Sequence, residues 1–368
     1  MDASLRVSLG RIIAQGLVPA TAALSPLDAV KNLAALQGQQ ASAIPWAIGV
    51  RCTGVSRARV EESFARGELV RSWPMRGTVH VTSARDHHWL RRLLRHRRAA
   101  WERQALSLGL TDALVERAAQ VACELLETSP LGVSRVALVE AWGSSGIDTV
   151  TASSSQEGLR RRHLIMRLHL DGVLTAGPVR AGEHLIVDAR SLPAAPGVAK
   201  GEPGHEEALA VLAARYAWGH GPIDEADLAR WTGLTLTEAR RALAGARVAG
   251  ESVGLPLAEC GGGLARADLA DLVEDYRVEA EAMHALPSFD ELHVGYRDRS
   301  CLTDEAGEAL ICPAKNGMFR PIVVEGGRVV AVRAPGREIV MVKGYESRQR
   351  PAARAFDDWE KWLSETQQ

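Results

Sequence analysis

The chain is short of lysine. Lys31, Lys200, Lys315, Lys343 and Lys361 are its only five in 368 residues, so arginine supplies nearly all the positive charge. The summed charge is −1 at neutral pH, which excludes a global field drawing the protein to nucleic acid. Any such attraction must come from local segregation of charge. The cysteines, Cys52, Cys123, Cys260, Cys301 and Cys312, are odd in number and scattered, with no CxxC pair. That excludes a disulfide framework and a structural zinc site, and reads as reduced core thiols. His80, His87 and His88 lack a metal-binding spacing such as HExxH, so neither a metal nor another cofactor is expected. No apolar run reaches the ~20 residues of a membrane span. The opening "MDASLRVSLGRIIAQG" has no basic leader before a long apolar core. A cytoplasmic protein without a membrane partner is expected.

What is present is ordinary globular composition, 46% hydrophobic and 24% charged. At roughly 100–200 residues per domain the length suggests two or three domains. Ser25 is a good N-cap with Pro26 at the first helical position, opening an amphipathic helix that by periodicity runs into "LQGQQ". "SRARVEESFARGE" reads as a second helix. "LVRSWP" and "GTVHVTS" read as strands around Met75-Arg76-Gly77. Helices followed by a hairpin make a winged-helix pattern. The plan recurs. "PLGVSRVALVEAWGSSGI" reads as a helical pair and "SSQEGLRRRHLIMRLHLDG" as a third helix. "VLTAGPVRAGEHLIVDAR" reads as a hairpin with turn signals at Gly177-Pro178 and Ala181-Gly182. A further copy starts near Glu206. It includes a helix-turn-helix with Gly233 at the turn and Thr235 or Thr237 as cap. "ALVEAWG" and "DLARWTG" nearly register as an internal repeat. "SLPAAPGVAKGEPG" is a Pro/Gly-rich connector. Beyond Leu286, short alternating runs with a Gly326-Gly327 hairpin signal predict a small antiparallel sheet or barrel closed by a terminal helix.

The fold class expected is α+β: three tandem winged-helix modules with a small C-terminal antiparallel sheet or barrel. The boundaries are 1–108, a first winged helix carrying the glutamines; 109–192, a second; 193–204, a linker; 205–285, a third; and 286–368, the sheet and terminal helix. Arginines cluster at Arg91, Arg92, Arg95, Arg97 and Arg98 and again at Arg160, Arg161, Arg162 and Arg167. Basic helices beside hairpins are the electrostatic footprint of duplex binding, although such runs are also solvated helix faces. Candidate DNA contacts are Arg71, Met75, Arg76, Thr78 and His80 on the first hairpin, then Arg91, Arg95, Arg160 and Arg161. Met75 is expected exposed at the turn, as a wedge between bases. Trp46 and Trp73 read as core.

"LAALQGQQASAIPWAIGVR" followed by "LVRSWPMRGTVHVTSARD" resembles the start of the AlkZ-type winged-helix DNA glycosylases. "LPSFDELHVGYRDRS" and "NGMFRPIVVEGGRVVAV" resemble that family's C-terminal segment. The likeness spans most of the chain in the same order, and RGTVH and LPSFDE are its specific parts. The family's Q-x-Q or Q-x-D motif falls on Gln37 and Gln39, with Gly38 where the middle residue is often apolar. The resemblance implies a monomeric C-shaped clamp around double-stranded DNA that excises N7-alkylated guanine. Gln at the second motif position points to the branch acting on bulky antibiotic-type adducts. That implies unhooking of interstrand crosslinks and self-resistance to an alkylating antibiotic such as azinomycin. Without the resemblance, "QGQQ" reads as a polar helix end, and the chain as a winged-helix transcriptional regulator, with a drug-sequestering protein as a weaker third reading.

The chemistry needs no acid. N7-alkylguanine already carries positive charge and leaves readily, so the task is to hold a water and tolerate an oxocarbenium-like sugar. An amide can do both: its carbonyl accepts hydrogen bonds and its NH₂ donates them. On a continuous helix, residues i and i+2 diverge by roughly 200°. A helix exit at Gly38 is therefore expected, letting Gln37 and Gln39 converge. Gln39 is expected to hold the water, because Asp replaces it in the sister branch, and Gln37 to orient the water or the deoxyribose. Asp290 and Glu291 would alternate sides on a strand, so a structural role is expected for them. Lys31 is expected solvated, leaving a monofunctional enzyme. A crosslinked base cannot rotate into a tight pocket, so an open groove is expected.

Overall fold

The computed structural model describes residues 1–97, 99–147, 154–193, 195 and 197–365. Arg98, and Ala194 and Pro196 of the connector, lie outside them. The chain divides into two compact units, one of residues 61–205 and one of residues 1–60 with 206–368.

Turns organise both units. Four hairpins close through two-residue loops, Arg76-Gly77, Ala181-Gly182, Gly261-Gly262 and Gly326-Gly327, flanked by the pairs Met75↔Thr78, Arg180↔Glu183, Cys260↔Gly263 and Glu325↔Arg328. Both central residues of each loop have positive φ, from 50° to 85°. This is the type I′ geometry whose twist matches that of the flanking strands, and glycine at the second position adopts it without Cβ strain.

In the unit of residues 61–205, the hairpins Leu69–Met75 with Thr78–Ser83 and Leu174–Arg180 with Glu183–Asp188 meet through the antiparallel pair Arg71↔Ala176. Helix Ala84–Leu94 packs on the first hairpin, and helix Ser154–Leu170 packs against Leu69–Met75 and Leu174–Arg180. Ser83, Thr111 and Ser134 cap the helices that follow them by accepting from backbone N–H groups three residues on. The core gathers Leu138, Trp142, Leu164, Leu168, Leu174 and Ile186. Two local expectations change. Gly177-Pro178 is a register shift inside a strand rather than a turn, since proline cannot donate to the ladder. The helical pair read in 130–147 is one helix, Arg135–Ser144.

In the other unit, helix Ala3–Ala14 is buried along its second half, from Ser8 to Ala14. The helix-turn-helix is Glu225–Thr232 and Leu236–Ser252. Gly233 takes the left-handed C-cap at φ 81°, as the sequence predicts, and of the two candidate caps Thr235 is used, forming a capping box with Glu238. The C-terminal strands form an open antiparallel sheet in the order Ile339–Met341, Arg328–Arg333, Ile322–Glu325, His284–Leu286. Ile322 and Val324 enter one core, while Val323 packs under the terminal helix Gln349–Ser364 with Phe356 and Trp359. Two of the short runs beyond Leu286 expected to build that sheet, "FDELHV" and "EALI", are instead the short helices Glu291–Val294 and Glu305–Ile311. Each follows an aspartate, Asp290 or Asp304, whose carboxylate accepts the backbone N–H of Leu292 or Gly307. That local bond outweighs a run too short to fix its own period.

Several histidines of the 61–205 unit are buried without charge. Burial, with the nearby Arg71 charge, drives His169 down from 6.5 to about 3. Burial drives His184 down to about 4. Unfolded, both bind protons more readily, so their contribution is complete above the unfolded value and is lost as pH falls through it toward the folded values. Stability followed by urea unfolding between about pH 7 and 4 should therefore fall with acidification. A flat profile would contradict the buried neutral state.

Candidate active site

The glutamine segment leaves its helix earlier than expected. Ser25 and Pro26 open helix Pro26–Asn32 as predicted. The chain then exits at Ala34, which takes φ 60°, and Gly38 does not adopt the left-handed conformation. The reason lies in the four apolar residues Leu33 to Leu36, each at most 1% exposed. A helix would turn such a run around its axis and bury only part of it, whereas irregular and extended chain buries all of it. Leu36–Gln37 is extended. Leu36 and Gly38 are buried while Gln37 and Gln39 are half-buried. The chain is not helical at the glutamines, so the helical divergence of i and i+2 does not arise. The chain then turns into the short helix Ile44–Gly49.

Gln37 is held from behind. Its backbone N–H donates to Glu291 Oε2 at 2.9 Å. Glu291 is 2% exposed. Its other oxygen accepts Trp231 Nε1–H at 2.7 Å and faces His220 Nε2 at 3.1 Å. Gln37 Oε1 is buried and accepts no hydrogen bond among the described residues. Next along the chain, Asp290 takes a two-pronged contact from Arg51, at 2.8 and 2.9 Å. Burial alone would lower the Arg51 pKa, but Asp290 raises it above its ordinary value. Arg51 also donates to Gln15 Oε1, Gln15 to Tyr296 Oη, and Tyr296 to the His220 carbonyl, at 2.7, 2.9 and 2.8 Å. Arg11 donates to Asp227 at 2.9 Å and lies 3.7 Å from the Tyr296 ring centroid. Sequence reading named none of Arg11, Arg51, His220 or Trp231 as site residues. It placed Asp290 and Glu291 on a strand, where adjacent side chains face apart. At a helix start both are buried, and each has its own partners. Lys31 is exposed.

The candidate DNA contacts fall in the 61–205 unit. Met75 is 2% exposed, not at the tip as expected. The tight turn is Arg76-Gly77, which leaves Met75 in the ladder opposite Thr78. His80 is 1% exposed, with Nδ1 3.1 Å from the Thr78 carbonyl, and His87 is fully buried. Arg76 and Thr78 are half-buried at the loop. Burial lowers the Arg71 guanidinium to about 10. Arg91 and Arg95 both donate to the Leu170 carbonyl, and Arg95 pairs with Asp171 at 2.8 Å. They cap the C-terminal end of helix Ser154–Leu170, where cations complement the helix dipole. Arg160 and Arg161 are half-buried ten residues back along the same helix, about 15 Å at 1.5 Å per residue.

Among solved structures the chain is similar to a DNA glycosylase, AlkZ of Streptomyces sahachiroi. The match covers 96% of this chain and 97% of that one, with a TM-score of 0.66 at 19% identity, and shows a common fold. A family model, DNA glycosylase AlkZ-like, matches residues 30–352. The chain belongs to the AlkZ-like DNA glycosylase family. It is thus a base-excision repair enzyme with DNA as substrate. No curated protein matches it. Among the described residues, no helix is long and apolar enough to cross a membrane and no cluster of ligands could hold a metal.

Asp290→Asn leaves the Arg51 cation buried without a counter-ion. It should lower unfolding stability by about 3–5 kcal/mol, read as a shifted urea midpoint. Arg51→Met with Asp290→Leu should recover most of the loss. A single variant as stable as the parent would show that the pair does not anchor this core.

Proposed function

We propose that the enzyme is a monofunctional glycosylase hydrolysing the N-glycosidic bond of bulky N7-alkylguanine in duplex DNA. The observation that carries the reading is Gln37. Its backbone is tied to a buried carboxylate, while its side-chain carbonyl, itself buried, accepts no hydrogen bond among the described residues. The C1′–N9 bond breaks and its electron pair neutralises the cationic base, which departs as neutral N7-alkylguanine. Water held by Gln39 adds to C1′ of the oxocarbenium-like sugar and then loses its proton to solvent. The Gln37 carbonyl orients that water or the deoxyribose and stabilises the growing positive charge. Neither amide acts as a base, and none is needed. Each end of an N7-guanine crosslink carries the same pre-activated bond, so unhooking follows by the same steps. A cell exposed to an azinomycin-type alkylator would be protected.

On this reading the helix–hairpin repeats are winged-helix modules, forming a C-shaped clamp around the duplex as a monomer. Arg71, Arg76, Thr78, Arg160 and Arg161 meet phosphates, while Met75 and His80 support the hairpin from its buried side. Arg91 and Arg95 brace helix Ser154–Leu170. The lesion is reached in an open groove, without full extrusion of the base.

The test incubates the protein with duplex bearing one N7-alkylguanine under single-turnover conditions. Free modified base and an alkali-labile abasic site should appear. Gln37→Ala/Gln39→Ala should lose on the order of 10²–10³-fold in rate while still binding duplex. Sequence-specific binding without base release would instead support a regulator. The rate should be level between about pH 6 and 8, because no group need change protonation. An ionisation limb that survives Gln39→Ala would reveal a carboxylate in the chemistry.

A further inference from the structure

Three observations converge on Glu291. Its carboxylate is buried, and one oxygen accepts the Gln37 N–H from 254 residues away. The other oxygen accepts Trp231 Nε1–H and faces His220 Nε2 at 3.1 Å, which donates to it where Glu291 is a carboxylate. Space is also reserved for it. Gly295 has an ordinary φ of −68°, yet a Cβ there would lie 2.6 Å from the Glu291 carbonyl oxygen and 3.1 Å from Oε1. Tyr216 closes the box, donating to the Gly295 carbonyl at 2.7 Å and stacking on His220 and Trp231 at 4.4 and 4.7 Å. A tryptophan N–H in a core does not need a charge. Trp142, one position further along the other repeat segment, donates to the Ala118 carbonyl. Burying a carboxylate is costly unless every lone pair is used, and here one is spent on the backbone of Gln37.

We propose that Glu291 is the positioning residue of the glutamine motif. It fixes Gln37 through the backbone N–H, so that the side-chain carbonyl keeps one aim at the sugar. The inference rests on the glycosylase reading above. An amide in its place would keep its oxygen toward the two donors, Trp231 and His220. Its NH₂ would then face the Gln37 N–H, and the anchor would be lost.

The test is Glu291→Gln in the full chain, with duplex carrying one N7-alkylguanine. Single-turnover excision should fall on the order of 10- to 100-fold, the scale of a reacting group displaced by about 1 Å. Duplex affinity should be unchanged, and the Gln37 amide should exchange its hydrogen faster. Added to Gln37→Ala, Glu291→Gln should cause no further loss, because its effect passes through that residue. Parental excision by folded Glu291→Gln would overturn the proposal, and so would an equal slowing of the parent and the Gln37→Ala protein. If Glu291→Gln fails to fold, Glu291→Asp carries the test, keeping the charge but retracting it by one methylene. Should the parent release no base, the glycosylase reading falls by itself. Hydrogen exchange at Gln37 still decides the anchor, and an unaltered rate in the variant would refute it.

Discussion

Asp290 and Glu291 are neighbours in the chain, buried together, and attached to different things. Asp290 takes the Arg51 guanidinium, and Glu291 takes the Gln37 backbone with Trp231 and His220. Two adjacent charges in an apolar interior persist only when their lone pairs are matched. The requirement spreads outward. Arg51 needs Gln15, Gln15 needs Tyr296, and Tyr296 reaches back to the His220 carbonyl. The glutamine segment lies at the edge of this closed circuit. Its placement is a property of the core of its unit and not of a surface loop, which is how a reacting group is held to a small tolerance.

The internal repeat shows how such a circuit can be built on an ordinary plan. Trp142 and Trp231 sit one position apart in the near-register of "ALVEAWG" and "DLARWTG", and both are fully buried. The indole N–H of the first meets a backbone carbonyl, which serves packing alone. That of the second meets the Glu291 carboxylate and so joins the path to Gln37. Both segments supply a buried indole donor, and the two donors have different kinds of partner.

What was legible in the sequence was local. The caps at Ser25 and Thr235, the left-handed stop at Gly233 and the loops Arg76-Gly77, Ala181-Gly182 and Gly326-Gly327 depend on backbone geometry over a few residues, and each was read. The hairpin at Gly261-Gly262 was missed because its strands are four residues each. The run Leu33 to Leu36 was assigned to a helix because its neighbours have helical spacing, yet its burial on every side is a tertiary fact. Met75 was misjudged by one position, enough to move a side chain from tip to ladder. The two glutamines came from resemblance to a family. Their carboxylate anchor joins residues 254 apart, a pairing that no spacing in one sequence reveals.

The unit that holds the glutamines is assembled from both ends of the chain, with residues 61–205 made in between. During translation Gln37 emerges early and Glu291 254 residues later. At about 5–20 residues per second, the ribosome spends on the order of 10–50 s between them. Through that interval the segment has no anchor, and a nascent or truncated chain lacks the carboxylate that fixes it. On the proposed role of Glu291, competence waits until that residue has been made, so the distant contact also times the enzyme's first turnover.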